Sequence, residues 1–548
     1  MITKKIIIFF LLVTASLISR AHIGSPGVTF EGQAGPYAVL VLITPPDVIP
    51  GTARVDIYAN AKGIHAIWAK PVYWHVGDEG TPSADAMVPV EGEPGHYTGM
   101  IWLMSSGSSG IDVKVEGDAG TGTVLVPVMA VSTAQKEMPS SLGYTLVVLA
   151  VLLVALMITI ISSSVSDGLL KPDAETTPAV RRKRWTGAVV SAVLLVLMLW
   201  GGKSWWDSWA NRYQRFLYRP MHANSAVVNN KGKSMLEFHI DTTRAMTLYR
   251  ARKLSHVVPD HGKLMHMFLV RAGSMDVFAH LHPQRKDSAT YITPLPPLPQ
   301  GTYLIFADIT RLSGFTETIP DTLVVDGPPV AFASHDSLAL GRDDTYYVTD
   351  AVSGKSNTGT SDNIVMCGRP GVKTSLPDGS TAIWEHEAGK SFEAGRLYEL
   401  TFAIQDEAAK PAALEPYLGM MGHAVVMKTD GSVYIHLHPV GSYSMASQQT
   451  MLTRFEKEVG PVNWSKLTKA TFADSVDHVV SQLEALPEDE RNKVLMSGMS
   501  HTTTDPDHPN HSVVKFPYAF PSPGSYRIWI QMKRNGKILN SAFDAIVE

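Results

Sequence analysis

The sequence predicts a mainly β protein: several Ig-like or cupredoxin-like β-sandwich domains, with two transmembrane helices and one helical insertion. Three observations predict it. Two long apolar runs in the first half of the chain flank a basic tetrapeptide. The segment before them lacks helical periodicity and is cut by Gly/Pro turns. The segment after them repeats itself, with His-Leu-His-Pro in both copies.

At 548 residues the chain is too long for one core. Its single cysteine, Cys367, rules out an intrachain disulfide framework and a cysteine zinc cluster. A formal net charge of −4 offers no bulk attraction for nucleic acid, and none is expected as a partner. With 20 His and 23 Met, any metal site must draw on His, Met, Asp or Glu.

Residues 1–21 read as a signal peptide. Lys4 and Lys5 form the basic start, Ile6 to Ile18 the apolar stretch, and Ser19-Arg20-Ala21 the small-x-small cleavage site. Cleavage after Ala21 would make His22 the first residue. Residues 22–140 then read as an exported β-sandwich, with strand-like Tyr37–Thr44 and Arg54–Ala59 between turns at Pro45-Pro46, Pro50-Gly51 and Pro94-Gly95.

Two membrane spans follow, at 143–163 and 187–206, each close to the ~20 residues that cross a bilayer. Trp205, Trp206 and Trp209 suit an interfacial belt. The intervening loop, 164–186, carries Arg181-Arg182-Lys183-Arg184, which the positive-inside rule assigns to the cytoplasm. Both large flanking segments are then expected on the extracytoplasmic, periplasmic side of a bacterial cell membrane, with the lipid bilayer as a partner.

The repeat covers 220–330 and 340–548. In the first copy His266-Met-Phe-Leu-Val270 precedes Phe278-Ala-His-Leu-His-Pro283 and Pro299 to Asp308; in the second, His423-Ala-Val-Val-Met427 precedes Tyr434-Ile-His-Leu-His-Pro439 and Pro523 to Gln531. The second copy also carries a helix-prone insertion, 447–500, ending in a loop with His501, His508 and His511.

Residues i and i+2 of a strand share a face, so His280 with His282, and His436 with His438, point the same way. His266 and His423 lie 14 and 13 residues upstream, within reach of a hairpin. The expectation is two metal sites, one of His266, His280 and His282, the other of His423, His436 and His438. Imidazole suits copper or zinc. Nearby Met265, Met267, Met275, Met420, Met421 and Met445 favour copper, with zinc as the alternative. Asp308 is a possible fourth ligand, replaced by Gln531 in the second copy. The competing reading makes the histidines structural, bonded to backbone carbonyls. An N-terminal His22 could also chelate copper, completed by His65, His75 or His96. Cys367 reads as a buried structural thiol.

The segment AHIGSPGVTFEGQAGPYAVLVLITPPDVIPG resembles the YtkA/FixH-like exported β-sandwich domains on Gly35-Pro36-Tyr37 and Pro45-Pro46. More distantly it is similar to CopC-like periplasmic copper carriers, which imply a metal role for His22 alone. The second half resembles uncharacterised secreted bacterial modules with a GHxVV…HxHP pattern, here Gly422 to Val426 and His436 to Pro439.

These readings predict a membrane-anchored extracytoplasmic metal-handling protein, a copper binder, carrier or assembly factor that serves a metal-receiving envelope protein or metalloenzyme. The alternatives are an envelope interaction module with structural histidines and a histidine-brace copper enzyme. No triad, phosphate loop or catalytic carboxylate motif is present, so enzymatic activity is not expected.

Overall fold

The computed structural model describes residues 27–77, 80–135, 138–167, 175–230, 233–243, 254–326, 340–349, 351, 373–386, 390–457, 469–497 and 511–548. The signal segment 1–21, His22, Cys367, His501 and His508 lie outside the described residues. The chain divides into two compact units: Val131–Arg219, and Met1–Ala130 with Pro220–Glu548.

The Val131–Arg219 unit holds two helices, Ser140–Asp167 and Pro178–Phe216, both long and apolar enough to cross a membrane. Thr177 caps the second by accepting from the Val180 N–H, and Pro178 stands in its first turn. That start puts Arg181 to Arg184 inside the helix, a correction to the expected basic loop over 164–186. Arg and Lys are good helix formers, so nothing breaks the helix between the cap and the apolar run. The same helix continues past 206 to Phe216. Ser162 Oγ donates to the Arg184 carbonyl at 2.9 Å, tying the two helices together.

The other unit is built mainly from strands. Among the described residues nine lie before the two long helices: β1 Val28–Ala34, β2 Tyr37–Thr44, β3 Gly51–Tyr58, β4 Ile64–Tyr73, β5 Asp85–Ala86, β6 Val88–Pro89, β7 His96–Leu103, β8 Gly107–Gly117 and β9 Gly120–Ala130. They form sheets β1-β2-β3-β7-β6 and β5-β4-β8-β9. Val41, Val55 and Ile57 of one share a core with Ile111, Val113 and Val126 of the other.

The first repeat copy contains β10 His222–Asn230, β11 Lys233–Asp241, β12 Val257–Val258, β13 His266–Arg271, β14 Val277–Leu281, β15 Gln284–Arg285, β16 Thr290–Pro294, β17 Gly301–Arg311, β18 Thr316–Val325 and β19 Thr345–Val348. Its sheets run β10-β11-β16-β15 and β12-β17-β13-β14-β19, with β18 also paired to β17. The second contains β20 Lys373–Ser375, β21 Thr381–Glu385, β22 Leu397–Gln405, β23 His423–Lys428, β24 Tyr434–Leu437, β25 Val513–Ala519, β26 Gly524–Arg534 and β27 Lys537–Val547. Its sheets run β20-β21-β22-β25 and β24-β23-β26-β27.

The duplication holds at the level of register. Phe268 stands opposite His280 and His266 opposite Asp308; in the second copy Val425 stands opposite His436 and His423 opposite Gln531. One boundary differs from the sequence reading: β19, in the segment assigned to the second copy, pairs with β14 of the first. It covers an edge that would otherwise expose unpaired backbone groups. The insertion forms helices Met445–Lys457, Lys469–Ala485 and Glu488–Met496.

Alternation along β13 and β23 explains how the copies meet. Met267 and Leu269 enter the first sandwich's own core, and Ala424 and Val426 the second's. Phe268 and Val270 face the other way and pack with Val425 and Met427 in a core between the copies, joined by Phe278, Phe306, Tyr434 and Trp529. Phe306 stacks on Tyr434 at 4.2 Å between ring centroids, and Phe278 on Trp529 at 5.1 Å. Both strands are thus apolar on two faces, which accounts for runs such as HMFLV and HAVVM.

The N-terminal sandwich docks on the second copy. The Glu31 N–H donates to the Val440 carbonyl at 2.8 Å, and Thr29 Oγ1 donates to Pro517 O at 2.8 Å. A Cβ at Gly441 would lie 2.1 Å from Thr29 O, so this close approach requires glycine.

Candidate metal centre

His266 begins β13 and His423 begins β23, on the faces turned toward the opposite copy. The hairpin to β14 brings His280 and His282 beside His266, and the hairpin to β24 brings His436 and His438 beside His423. Because those faces pack together, the two expected sites merge into one cluster. The ring centroids of His266 and His436 are 5.4 Å apart, and those of His280 and His423 are 6.4 Å apart.

A seventh ring joins them. His261 lies 4.7 Å from His438 and 5.6 Å from His423. It occupies a tight turn with φ of 50°, followed by Gly262 at 78°, closed by Asp260 pairing with Lys263. The second copy has the same turn at Leu418 (52°) and Gly419 (77°), closed by Tyr417 and Met420. Each turn sits five residues before its strand histidine, but the second offers Leu in place of His. Repeat comparison therefore hides His261; the Asp-His-Gly triplet at a turn was the available signal.

The seven histidines are all under 10% exposed. Within them, His266, His280 and His282 each offer a nitrogen within 4.8 Å of the others, and so do His261, His423 and His438. Burial holds every one of these rings in the neutral form, pulling His261 down to about 4 and both His266 and His438 to about 3. Burial likewise pushes His280, His282, His423 and His436 well below the usual imidazole range, and neighbouring histidines add to it.

Hydrogen bonds decide which nitrogen of each ring is left over. Gln531 Nε2 donates to Asn540 Oδ1 at 3.0 Å, so its Oε1 faces His280 and accepts from Nδ1 at 2.8 Å. His280 Nε2 is then a lone pair. His266 Nε2 donates to the Asp260 carbonyl at 3.1 Å, which leaves Nδ1 as its lone pair. These two lone pairs face each other at 3.2 Å. Two neutral rings cannot satisfy both, whereas two nitrogens at ~2.0 Å from a tetrahedral ion stand about 3.3 Å apart.

The same logic runs through the cluster. His282 Nδ1 donates to Asp344 Oδ1 at 2.8 Å and His438 Nδ1 to Tyr443 O at 3.2 Å, so each keeps Nε2 free. Nε2 of His261, His282, His436 and His438, and both nitrogens of His423, are buried without a hydrogen-bond partner. Such groups are costly in a protein interior unless something binds them.

Asp308 and Gln531 are not equivalent fourth ligands. Each stands behind a histidine of the opposite copy: Gln531 behind His280, and Asp308 Oδ2 3.8 Å from His436 Nδ1. Asp308 also accepts from Tyr434 Oη at 2.9 Å and Thr318 Oγ1 at 2.5 Å. Burial raises its carboxyl to about 6, and that of Asp344 to about 6. Carboxylate and amide partners of this kind orient imidazoles at metal sites.

Five of the six methionines named from the sequence pack into hydrophobic cores. Met265 and Met267 flank His266 on the strand and so enter the first sandwich's core, while Met275 lies in the core between copies. Met421 packs on the second core and Met445 on the N-terminal one. Alternation along a strand sends a histidine and its neighbours to opposite faces, so the thioether argument for copper is withdrawn. His65 pairs with Asp118, His96 with Asp56 and Glu93, and His75 lies by Ser105. None of the three joins a metal-ligating group among the described residues.

Part of the insertion covers the His261 turn. Leu495 and Leu483 approach Gly262, and Lys263 pairs with Asp343 at 2.8 Å and with Glu484. Arg491 grips Asp343 through both terminal nitrogens, at 2.6 and 2.7 Å. Burial opposes the charge of Asp343, but Arg491 and Lys263 outweigh it and hold the carboxyl far below its usual range. Tyr417 Oη donates to the Asp343 carbonyl at 2.8 Å, beside His280.

Residues 375–462 match a family described as a domain of unknown function (DUF8832), a stretch that includes His423, His436 and His438. No curated protein matches the chain. Among solved structures it is similar to the native α-2-macroglobulin of E. coli, at 7% identity and a TM-score of 0.19 over 94% of this chain and 23% of that one. Latent PorU from Porphyromonas gingivalis gives 8% identity and 0.13, covering 95% and 34%. An endo-fucoidan hydrolase of glycoside hydrolase family 107 gives 9% and 0.15, covering 92% and 43%. The chain spans less than half the length of each, and likenesses this slight carry no argument.

Proposed function

We propose that this chain is a membrane-anchored, extracytoplasmic copper protein that holds its metal between the two repeat copies. The observation that carries the reading is the pair His266 Nδ1 and His280 Nε2, two lone pairs 3.2 Å apart in the interior. A structural-histidine reading leaves those two lone pairs facing each other, and six buried nitrogens of His261, His282, His423, His436 and His438 without a hydrogen-bond partner. Affinity for divalent ions at nitrogen sites peaks at copper, and imidazole suits both of its oxidation states. The enclosure supports an ion that is retained rather than handed on.

Two facts support the topology. Both helices suit a membrane hairpin, which returns the chain to the side it left. The N-terminal sandwich and the second copy pack directly together, which supports one side of the membrane for both. The basic start of the second helix favours the cytoplasm for the turn between them.

The test is copper and zinc titration of the full chain in detergent, beside His266→Ala/His280→Ala. Retained copper that the double variant loses, with unchanged far-UV circular dichroism, is expected. A wild-type chain that retains neither metal would sink the reading and make the histidines structural.

A further inference from the structure

The histidines outnumber what one ion can use. A four-coordinate copper or zinc site takes three or four protein ligands, and this cluster has seven rings. They sort into two triads, each with its nitrogens mutually within 4.8 Å: His266, His280 and His282, and His261, His423 and His438. The triads touch. His261 and His266 are 6.1 Å apart between centroids, and His280 and His423 are 6.4 Å apart.

We propose that the centre is dinuclear: one copper on each triad, with a small anion bridging them. The proposal rests on the copper reading above and goes beyond it in stoichiometry and in ligand class. Three protein nitrogens leave one position open on each ion, the arrangement of sites that accept an external ligand. Paired ions in proteins stand about 3.5–4 Å apart, within reach of one bridging atom or a diatomic. A bridging anion also offsets two buried cations among neutral imidazoles, alongside the carboxylates of Asp260, Asp308 and Asp344.

His436 belongs to neither triad yet borders both. Its centroid lies 4.5 Å from His438, 5.4 Å from His423 and 5.4 Å from His266. Its Nε2 has no partner. It is the ring placed to serve either ion. The two ions are not equivalent, because His261 crosses from the first copy to complete the second copy's triad, while Leu418 returns nothing.

Metal analysis with EPR on the full chain in detergent tests this. Two Cu(II) per chain are expected, with an EPR signal below that of one uncoupled ion. His261→Asn keeps the left-handed turn, which Asn tolerates; combined with His436→Ala, which removes the ring able to replace it, it should bind one copper and show the full signal of a single ion. Azide, the probe for the bridging position, should give a new near-UV band at one azide per copper pair. Saturation at one copper in the wild type, two ions with undiminished signal, or an unaltered stoichiometry in His261→Asn/His436→Ala would each overturn the dinuclear centre while leaving copper binding intact. Failure to bind any copper would overturn both.

Discussion

Gln531 Oε1 lies 2.8 Å from His280 Nδ1, across the boundary between the two repeat copies. The contact sets the tautomer of a candidate ligand from a residue 251 positions away. Gln531→Leu removes the acceptor at similar size. It should weaken copper binding by ~10–100-fold, the usual loss for an orienting partner. Competition against a chelator of known affinity reads this, and an unchanged affinity would mean that His280 does not bind the ion.

Phe278 and Trp529 stack in the core that holds the copies face to face. Phe278→Ala should cost ~3–5 kcal/mol of stability. Since the ligands come from both copies, metal affinity should fall with it. Parallel denaturation and metal titration would show the two losses together; stability lost with affinity kept would place the ligands in one copy.

Arg491 and Asp343 form a buried pair that ties the insertion to the turn leading into β19. Arg491→Ala leaves Asp343 short of its main partner and should cost ~3–5 kcal/mol. The double change Arg491→Met/Asp343→Leu should recover most of that loss. Urea unfolding of the three proteins checks it, and a double variant as unstable as the single would refute it.

Glu31 faces Glu399 and Lys515 where the N-terminal sandwich meets the second copy. Burial first, and the Glu399 charge second, raise its carboxyl from 4.5 to about 7, against the pull of Lys515. The folded state then holds a proton that the unfolded state has released between those values. Stability should fall as pH rises through that window. Glu31→Gln should flatten this part of the profile in thermal melts; a wild-type profile that rises instead would contradict the assignment.

Copper itself should stabilise the chain, since it binds only the folded arrangement. At a hundredfold excess over Kd the gain is about 2.7 kcal/mol. Scanning calorimetry with and without a chelator measures it, and equal melting temperatures would exclude binding in the folded interior.

Much of the fold was legible because strands write their faces with a period of two. The pattern around HLHP placed His280 with His282, and His436 with His438, and the duplicated order His266 to Asp308 and His423 to Gln531 marked two related sandwiches. The methionine argument failed for the same periodic reason, since Met265 and Met267 had to face away from His266. Arg181 to Arg184 read as a loop by charge, but Thr177 and Pro178 had already started the helix.

The sequence by itself determined the duplicated strands, the two apolar helices and six of the seven histidines, because those features rest on local spacing. Only the tertiary structure decided that the two histidine groups meet in one cluster. That depends on the apolar faces of β13 and β23 finding each other, through Phe268, Val425, Phe278 and Trp529, residues far apart in the chain whose fit no local period encodes. The same packing brings His261 from its turn in the first copy to the triad of the second, and sets Gln531 and Asp308 behind histidines of the opposite copy.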